Sequence, residues 1–525
     1  MLARRGMART ITSAVLGLTI GLAVIITGAV TADSTAQGRA QAHDLRASGG
    51  TVDGSPTTTI SYRVGRISEV SIGCPGTGDV AEAVDRTRGY VYQAFEGCDG
   101  GNGIGFARST DRGRSYGRPV ALPGSRGGWD PWLAVAPDGT LYAAFMNVEN
   151  GSTYPIIDVS HDHGRSFVVK RSLRPARRHN WGDADYLAVG STGTLYVAWG
   201  YGPSNRKVKQ ACDPNGSCWA SRGDINVVVQ SSADDAKTFS PMAIVTPGYP
   251  DAGADEGAIA ISPNGTLDVL YQDYKVTNRR TLKLAHGHEY FTSSSDGGKT
   301  WTRPVLVGAS AGQITINEWW NDGSIASDTA GNLYATWDTQ ATRDGHHTDT
   351  GWLSFSTDGG QEWSTPVQAP RTRANAPHIM EVTGAGSGEA YVGWLSSGDA
   401  RGWAMYLRTF SIGAKDHLGG WLSGVVRVSR RYGDPGVFPG DTFGIATLAL
   451  SHLLLSWGSA VSGAPKKASV FAASVFVRAE KRGASRDAAH HQRHKLATGA
   501  LHPPRHQRVR RASKSSAPVD EPAAP

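Results

Sequence analysis

The chain has 525 residues, of which 39% are hydrophobic and 19% charged, with four cysteines and a formal net charge of +7. Ten Lys or Arg against three acids fall within residues 481–525, which carries that whole excess, so the body is not basic and its charge gives no footprint for nucleic acid. The stretch between the termini is long for a single hydrophobic core and suits a core divided among repeated units.

In chain order, Arg4, Arg5 and Arg9 precede an apolar run from Ile11 to Val30. Small residues follow at Val30-Thr31-Ala32 and Ala40-Gln41-Ala42. That order is a secretory signal with a short linker over residues 1–42, and an uncleaved anchor is the alternative, because about 20 apolar residues can span a bilayer. Either way residues 43–480 face outward, and the expected location is secreted or at the extracellular surface. The segment Thr58 to Ile67 is β-rich but has no repeat of its own.

A phrase then recurs. It reads Gly89-Tyr-Val-Tyr-Gln-Ala-Phe95, Gly139-Thr-Leu-Tyr-Ala-Ala-Phe145, Gly193-Thr-Leu-Tyr-Val-Ala-Trp199, Gly265-Thr-Leu-Asp-Val-Leu-Tyr271, Gly331-Asn-Leu-Tyr-Ala-Thr-Trp337 and Gly388-Glu-Ala-Tyr-Val-Gly-Trp394. A degenerate seventh copy is Ser451-His-Leu-Leu-Leu-Ser-Trp457. Each is a β-rich run entered from a tight turn such as Asp138-Gly139, with a short apolar strand before it and a third strand after it.

A second motif follows the third strand: Ser109-Thr-Asp-Arg-Gly-Arg-Ser-Tyr116, Ser160-His-Asp-His-Gly-Arg-Ser-Phe167, Ser232-Ala-Asp-Asp-Ala-Lys-Thr-Phe239, Ser294-Ser-Asp-Gly-Gly-Lys-Thr-Trp301 and Ser356-Thr-Asp-Gly-Gly-Gln-Glu-Trp363. Its Asp can accept hydrogen bonds from turn amides, its Gly can take a left-handed dihedral, and its closing aromatic can plug the sheet. Ala236 replaces the Gly in the third copy, which predicts a strained or differently shaped turn there.

These five copies resemble the Asp-box (BNR-repeat) hairpins of secreted bacterial sialidase-like β-propellers. The repeats predict an all-β propeller of four-stranded antiparallel blades, seven in number with six as the alternative. Thr58 to Ile67 is expected to close the ring as the outer strand of the last blade. Sialidases of this family hold the substrate carboxylate with three arginines, one in an early Tyr/Phe-Arg-Ile-Pro motif. Here the nearest string, Tyr62-Arg63-Val64-Gly65, lacks the proline, and the triad maps onto no residues of this chain. The resemblance therefore implies a glycan-processing protein of other specificity.

Antiparallel alternation puts the Asp-boxes and the Asp138-Gly139 type turns on one face. The lead-ins to the first strands and the connections between second and third strands fall on the other, where variable loops build sites. The lead-ins hold Gly78-Asp79, Trp129-Asp130, Trp181-Gly-Asp183-Ala-Asp185, Asp255-Glu256, Glu318-Trp319-Trp320-Asn321-Asp322, Asn375-Ala-Pro-His378 and Gly440-Asp441. Paired carboxylates beside tryptophans suit glycoside hydrolysis, one acid protonating the leaving oxygen while another acts as nucleophile or base. A cap or a contact to the neighbouring blade is the competing role for any single Asp.

The candidate catalytic residues are Asp185, Glu256, Glu318 and Asp322. The candidate sugar-binding residues are Trp129, Asp130, Trp181, Asp183, Trp319, Trp320, His378 and Asp441. No cofactor is expected, although clustered oxygen ligands would suit Ca²⁺. Non-catalytic carbohydrate or protein binding and a polysaccharide lyase are the alternatives to a hydrolase.

Four cysteines in an exported chain point to disulfides, paired locally as Cys74–Cys98 and Cys212–Cys218. The partner is a glycan, with no nucleic acid, and with no membrane beyond the export signal or anchor. The chain is expected to be a monomer. Residues 481–525, rich in Ala, Pro, His, Arg and Lys, read as a solvated disordered tail.

Overall fold

The computed structural model describes residues 43–46, 58–74, 78–100, 102–149, 152–174, 180–203, 226–246, 252–278, 283–309, 323–343, 346–370, 377–396, 402–413, 419–460 and 468–481. Cys212, Cys218, Glu318, Trp319, Trp320, Asp322, the segment 1–42 and the tail after Lys481 lie outside the described residues.

Each repeat folds into one antiparallel sheet whose strands pair in sequence order, and the whole is a seven-bladed β-propeller. The first strands are Val80–Asp85, Trp129–Val135, Asn180–Val189, Ala252–Ile261, Ser324–Ser327, Ile379–Gly384 and Gly444–Ala449, in blades 1 to 7. Each packs beside the first strands of both neighbouring blades, and the circle closes between blades 7 and 1.

The ring closes as the sequence predicts. Thr58–Glu69 pairs with Ser469–Lys481 as an outer strand of blade 7. That blade gains a fifth strand, His43–Arg46, which pairs with Thr58–Glu69 and which the repeat pattern did not foretell. Tyr62 anchors the closing strand to blade 6, its hydroxyl lying 2.6 Å from Thr409 Oγ1 and 2.5 Å from Ser423 Oγ. Arg63 stacks over the Phe476 ring at 4.2 Å within the same blade, so it serves the closure.

The core lies between blades. The aromatics that end the repeated phrase, Phe95, Phe145, Trp199, Tyr271, Trp337, Trp394 and Trp457, are all buried. The Asp-boxes form as their chemistry dictates. In the first, Ser109 Oγ donates to Asp111 Oδ1 at 2.7 Å and accepts from Gly113 N at 2.9 Å. Asp111 Oδ1 accepts from Arg114 N and Ser115 N, and Oδ2 accepts from the Ser115 hydroxyl. The closing aromatic reaches further than its own sheet: Phe167 of blade 2 meets Phe106 of blade 1 edge-on at 4.7 Å, and Trp363 of blade 5 meets Phe291 of blade 4 at 5.3 Å. The third box keeps the same shape despite Ala236, which adopts φ +58° and still donates its N–H to Ser232 Oγ at 3.0 Å.

Cys74 and Cys98 are bonded, tying the segment after the closing strand to the second strand of blade 1. A disulfide fits an oxidising, extracytoplasmic setting.

Candidate active site at the channel mouth

The lead-ins turn sharply where they meet the first strands. Asp79, Asp130 and Ala184 hold positive φ values of 44°, 47° and 46°. The first strands of blades 2, 3 and 4 shift register at the same place, between Trp129 and Trp132, Asp183 and Tyr186, and Asp255 and Ala258. An extra residue there re-aims the neighbouring side chain, the usual effect of a bulge. Asp tolerates the left-handed region better than most residues.

The result is a cluster drawn from consecutive blades. Asp441 of blade 7, Asp79 of blade 1 and Asp130 of blade 2 each offer a carboxylate oxygen within 4.8 Å of the others. Asp441 N donates to Asp79 Oδ1 at 2.8 Å, and Asp130 N donates to Glu96 Oε1 at 3.1 Å. Asp183 of blade 3 joins through the Asp130 carboxyl, which hydrogen-bonds to it, and through Trp129, whose indole N–H donates to Asp183 Oδ1 at 2.8 Å. The backbones of blades 7 and 1 are nearly in contact at this point. A Cβ on Gly78 would lie 1.7 Å from Pro439 O, and one on Gly440 would lie 2.2 Å from Asp79 N.

Crowding sets the proton distribution. Burial, followed by the charges of Asp183, Asp441, Asp79 and Glu96, holds the Asp130 carboxyl well above the ordinary carboxylate range. Burial also raises Asp183, opposed by hydrogen bonds from Trp129, Asp130 and Ala184 N–H. The two carboxyls hydrogen-bond to each other, and burial raises both. A carboxyl whose pKa is raised by burial and by neighbouring acids is the kind of group that general acid catalysis uses.

No family model and no curated protein matches the chain. Solved structures do share its fold. The polysaccharide lyase Uly1 superposes with a TM-score of 0.51 at 11% identity, covering 76% of this chain and 90% of the lyase. A Penicillium chrysogenum α-L-arabinanase complexed with arabinobiose gives 0.41 at 14% identity, covering 66% and 92%. A Fusarium graminearum α-L-arabinofuranosidase with arabinobiose gives 0.44 at 12%, covering 79% and 98%.

The other sequence candidates fall as follows. Asp185 is buried at 2% exposure with neither carboxylate oxygen hydrogen-bonded to another side chain among the described residues, and burial pushes it well above the ordinary range. The charge of Asp183 raises it further. The backbones of Trp181 and Glu256 lie in the first strands of blades 3 and 4. His378 faces Asp338 and Asp349 at the seam of blades 5 and 6. Asp79 and Glu96 were not among the candidates. Their signal is positional: Gly78-Asp79 repeats as Gly440-Asp441, and Glu96 directly follows the closing aromatic of its phrase, as Asp338 does after Trp337.

Proposed function

We propose that the chain is an exported glycoside hydrolase that cleaves a polysaccharide over the channel mouth. The observation that carries this reading is the cluster of Asp130, Asp79 and Asp441, one oxygen of each lying within 4.8 Å of the others, with burial raising Asp130. Hydrolysis of a glycosidic bond needs one carboxylic acid to protonate the leaving oxygen and a second carboxylate to act as nucleophile or base. Asp130 is the acid, and Asp79 or Asp441 supplies the carboxylate. Glu256, Glu318 and Asp322 remain the sequence candidates for further acids, and Trp181, Trp319 and Trp320 those for apolar sugar platforms. Asp183 and Trp129 position Asp130.

The full chain incubated with sialylated, uronic-acid and neutral glycans, with products read by mass spectrometry and anomeric NMR, tests this. Release of a sugar is the expected result. Asp130→Asn lowers kcat by about 10²–10⁴-fold while leaving the unfolding transition in place. Full activity of an E318Q/D322N double variant removes those two acids from the mechanism. Unsaturated products absorbing in the ultraviolet make the protein a lyase, and binding without any release makes it a recognition module; either outcome overturns hydrolysis.

A further inference from the structure

We propose that Asp338, Asp349 and His378 bind one divalent transition-metal ion, zinc by the chemistry of the donors, at the seam between blades 5 and 6. This site is separate from the carboxylates assigned to glycan cleavage and does not depend on that assignment.

The fold brings the three together for local reasons. Asp338 follows Trp337 on the second strand of blade 5, and Asp349 lies on the third strand of the same hairpin. The register pairs Asp338 with Gly351 and Gln340 with Asp349, so both acids stand on one face of the hairpin. His378 arrives from the lead-in of blade 6, its backbone N–H held by Leu395 O at 2.9 Å. Gly351 makes the approach possible: a Cβ there would sit 2.2 Å from Met380 Sδ and 2.7 Å from Pro377 Cβ. Glu96 stands at the same repeat position in blade 1, where it meets the lead-in of blade 2, so this is the architecture's own meeting point with a different donor set.

The spacing fits an ion. One donor atom from each residue lies within 4.8 Å of the others, with His378 Nδ1 3.4 Å from Asp349 Oδ2 and 3.8 Å from Asp338 Oδ2. Two ligands each about 2.0–2.1 Å from a tetrahedral zinc ion are themselves roughly 3.4 Å apart. The His378 side chain is 9% exposed, yet its Nδ1, turned toward two carboxylates, completes no hydrogen bond. A buried polar nitrogen left so is costly, and a cation between it and the carboxylates supplies its partner. Carboxylate oxygens and an imidazole nitrogen are ligand types that zinc accepts. A mixed imidazole and carboxylate set suits zinc better than calcium or magnesium, which prefer oxygen throughout. The Trp403 ring, 5.5 Å from the imidazole, gives the site an apolar flank. Three protein donors leave a fourth position for water or a sugar hydroxyl.

The test uses the full chain, stripped with chelator and titrated with zinc chloride alone by calorimetry, with bound metal counted by mass spectrometry. One zinc per chain with a submicromolar Kd is expected, along with at least a 100-fold loss of affinity in Asp349→Asn and His378→Ala. Circular dichroism confirms that each variant is folded. Because His378→Ala can fail this check, the wild-type chain is also loaded with cobalt(II), whose visible d–d bands report a bound nitrogen and oxygen donor set and disappear when zinc displaces it. Absence of stoichiometric zinc in the wild-type chain, zinc affinity unchanged in a folded Asp349→Asn, or calcium bound as tightly as zinc would each overturn the assignment.

Discussion

At the position four residues after the Asp-box serine, four boxes carry glycine and one carries Ala236. The neighbouring blade explains which residue is allowed. A Cβ on Gly360 would lie 2.0 Å from Phe291, and one on Gly164 would lie 2.7 Å from Phe106. Blade 2 has Ile157 at the position equivalent to those phenylalanines, and Ile157 and Ala236 share one core cluster. Blade 3 has Val229 there, and the nearest atom to a Cβ on Gly298 is 3.5 Å away. Gly360→Ala therefore combines left-handed strain with overpacking and should cost at least about 3 kcal/mol, whereas Gly298→Ala should cost about 1 kcal/mol. Denaturant melts of the two variants check this, and equal losses would show that dihedral strain alone sets the glycine requirement. The box pattern was legible as a motif, but this dependence was not, because it is a relation between a residue and the blade beside it.

Within single strands, the repeated phrase marks buried second strands but says nothing of the acids buried beside them. Asp158 lies in the third strand of blade 2, fully buried, with no hydrogen-bond partner for either oxygen among the described residues. Burial raises its pKa to about 8. The folded state thus holds a proton that the unfolded chain releases near pH 4, so this residue costs stability progressively as pH rises from about 4 to 8. Asp158→Asn, neutral throughout, should gain on the wild type over that interval, by up to about 4 kcal/mol at pH 8. Parallel urea melts at pH 4.5 and 8 measure the gain, and a difference independent of pH would mean that Asp158 finds a partner. At this scale the sequence showed which lead-ins carry acids. It could not show that Asp79 takes a positive φ, where Gly78 and Gly440 pack backbone to backbone at the seam of blades 7 and 1.

For the whole molecule, seven copies of an aromatic-ended phrase and one leftover strand were enough to count the blades and close the ring. The charge balance of the folded propeller needed the structure. Glu82, Asp158 and Asp268 are all raised, to about 8, 8 and 7, chiefly by burial. Asp234 is lowered to about 2, first by the Thr238 hydroxyl and then by its N–H. The raised group lowers stability as pH climbs from about 4 toward 8, while the contribution of the box aspartate is complete above pH 4 and is lost as pH falls through about 2. Thermal unfolding should therefore be most resistant near pH 4–5, below the usual range for globular proteins. A calorimetric scan from pH 2 to 9 tests this, and a Tm that climbs between pH 5 and 8 would contradict it.

Thr58–Glu69 and Ser469–Lys481 lie side by side in one sheet, with nearly the whole chain between them. An N-terminal fragment that stops before Ser469 cannot be a finished circle. While the chain is being made, it is an arc with two unpaired edges, and cooperative stability must wait for the last strand to emerge. Blade 7 works as a clasp, so the ring locks only once Thr58–Glu69 and Ser469–Lys481 have met.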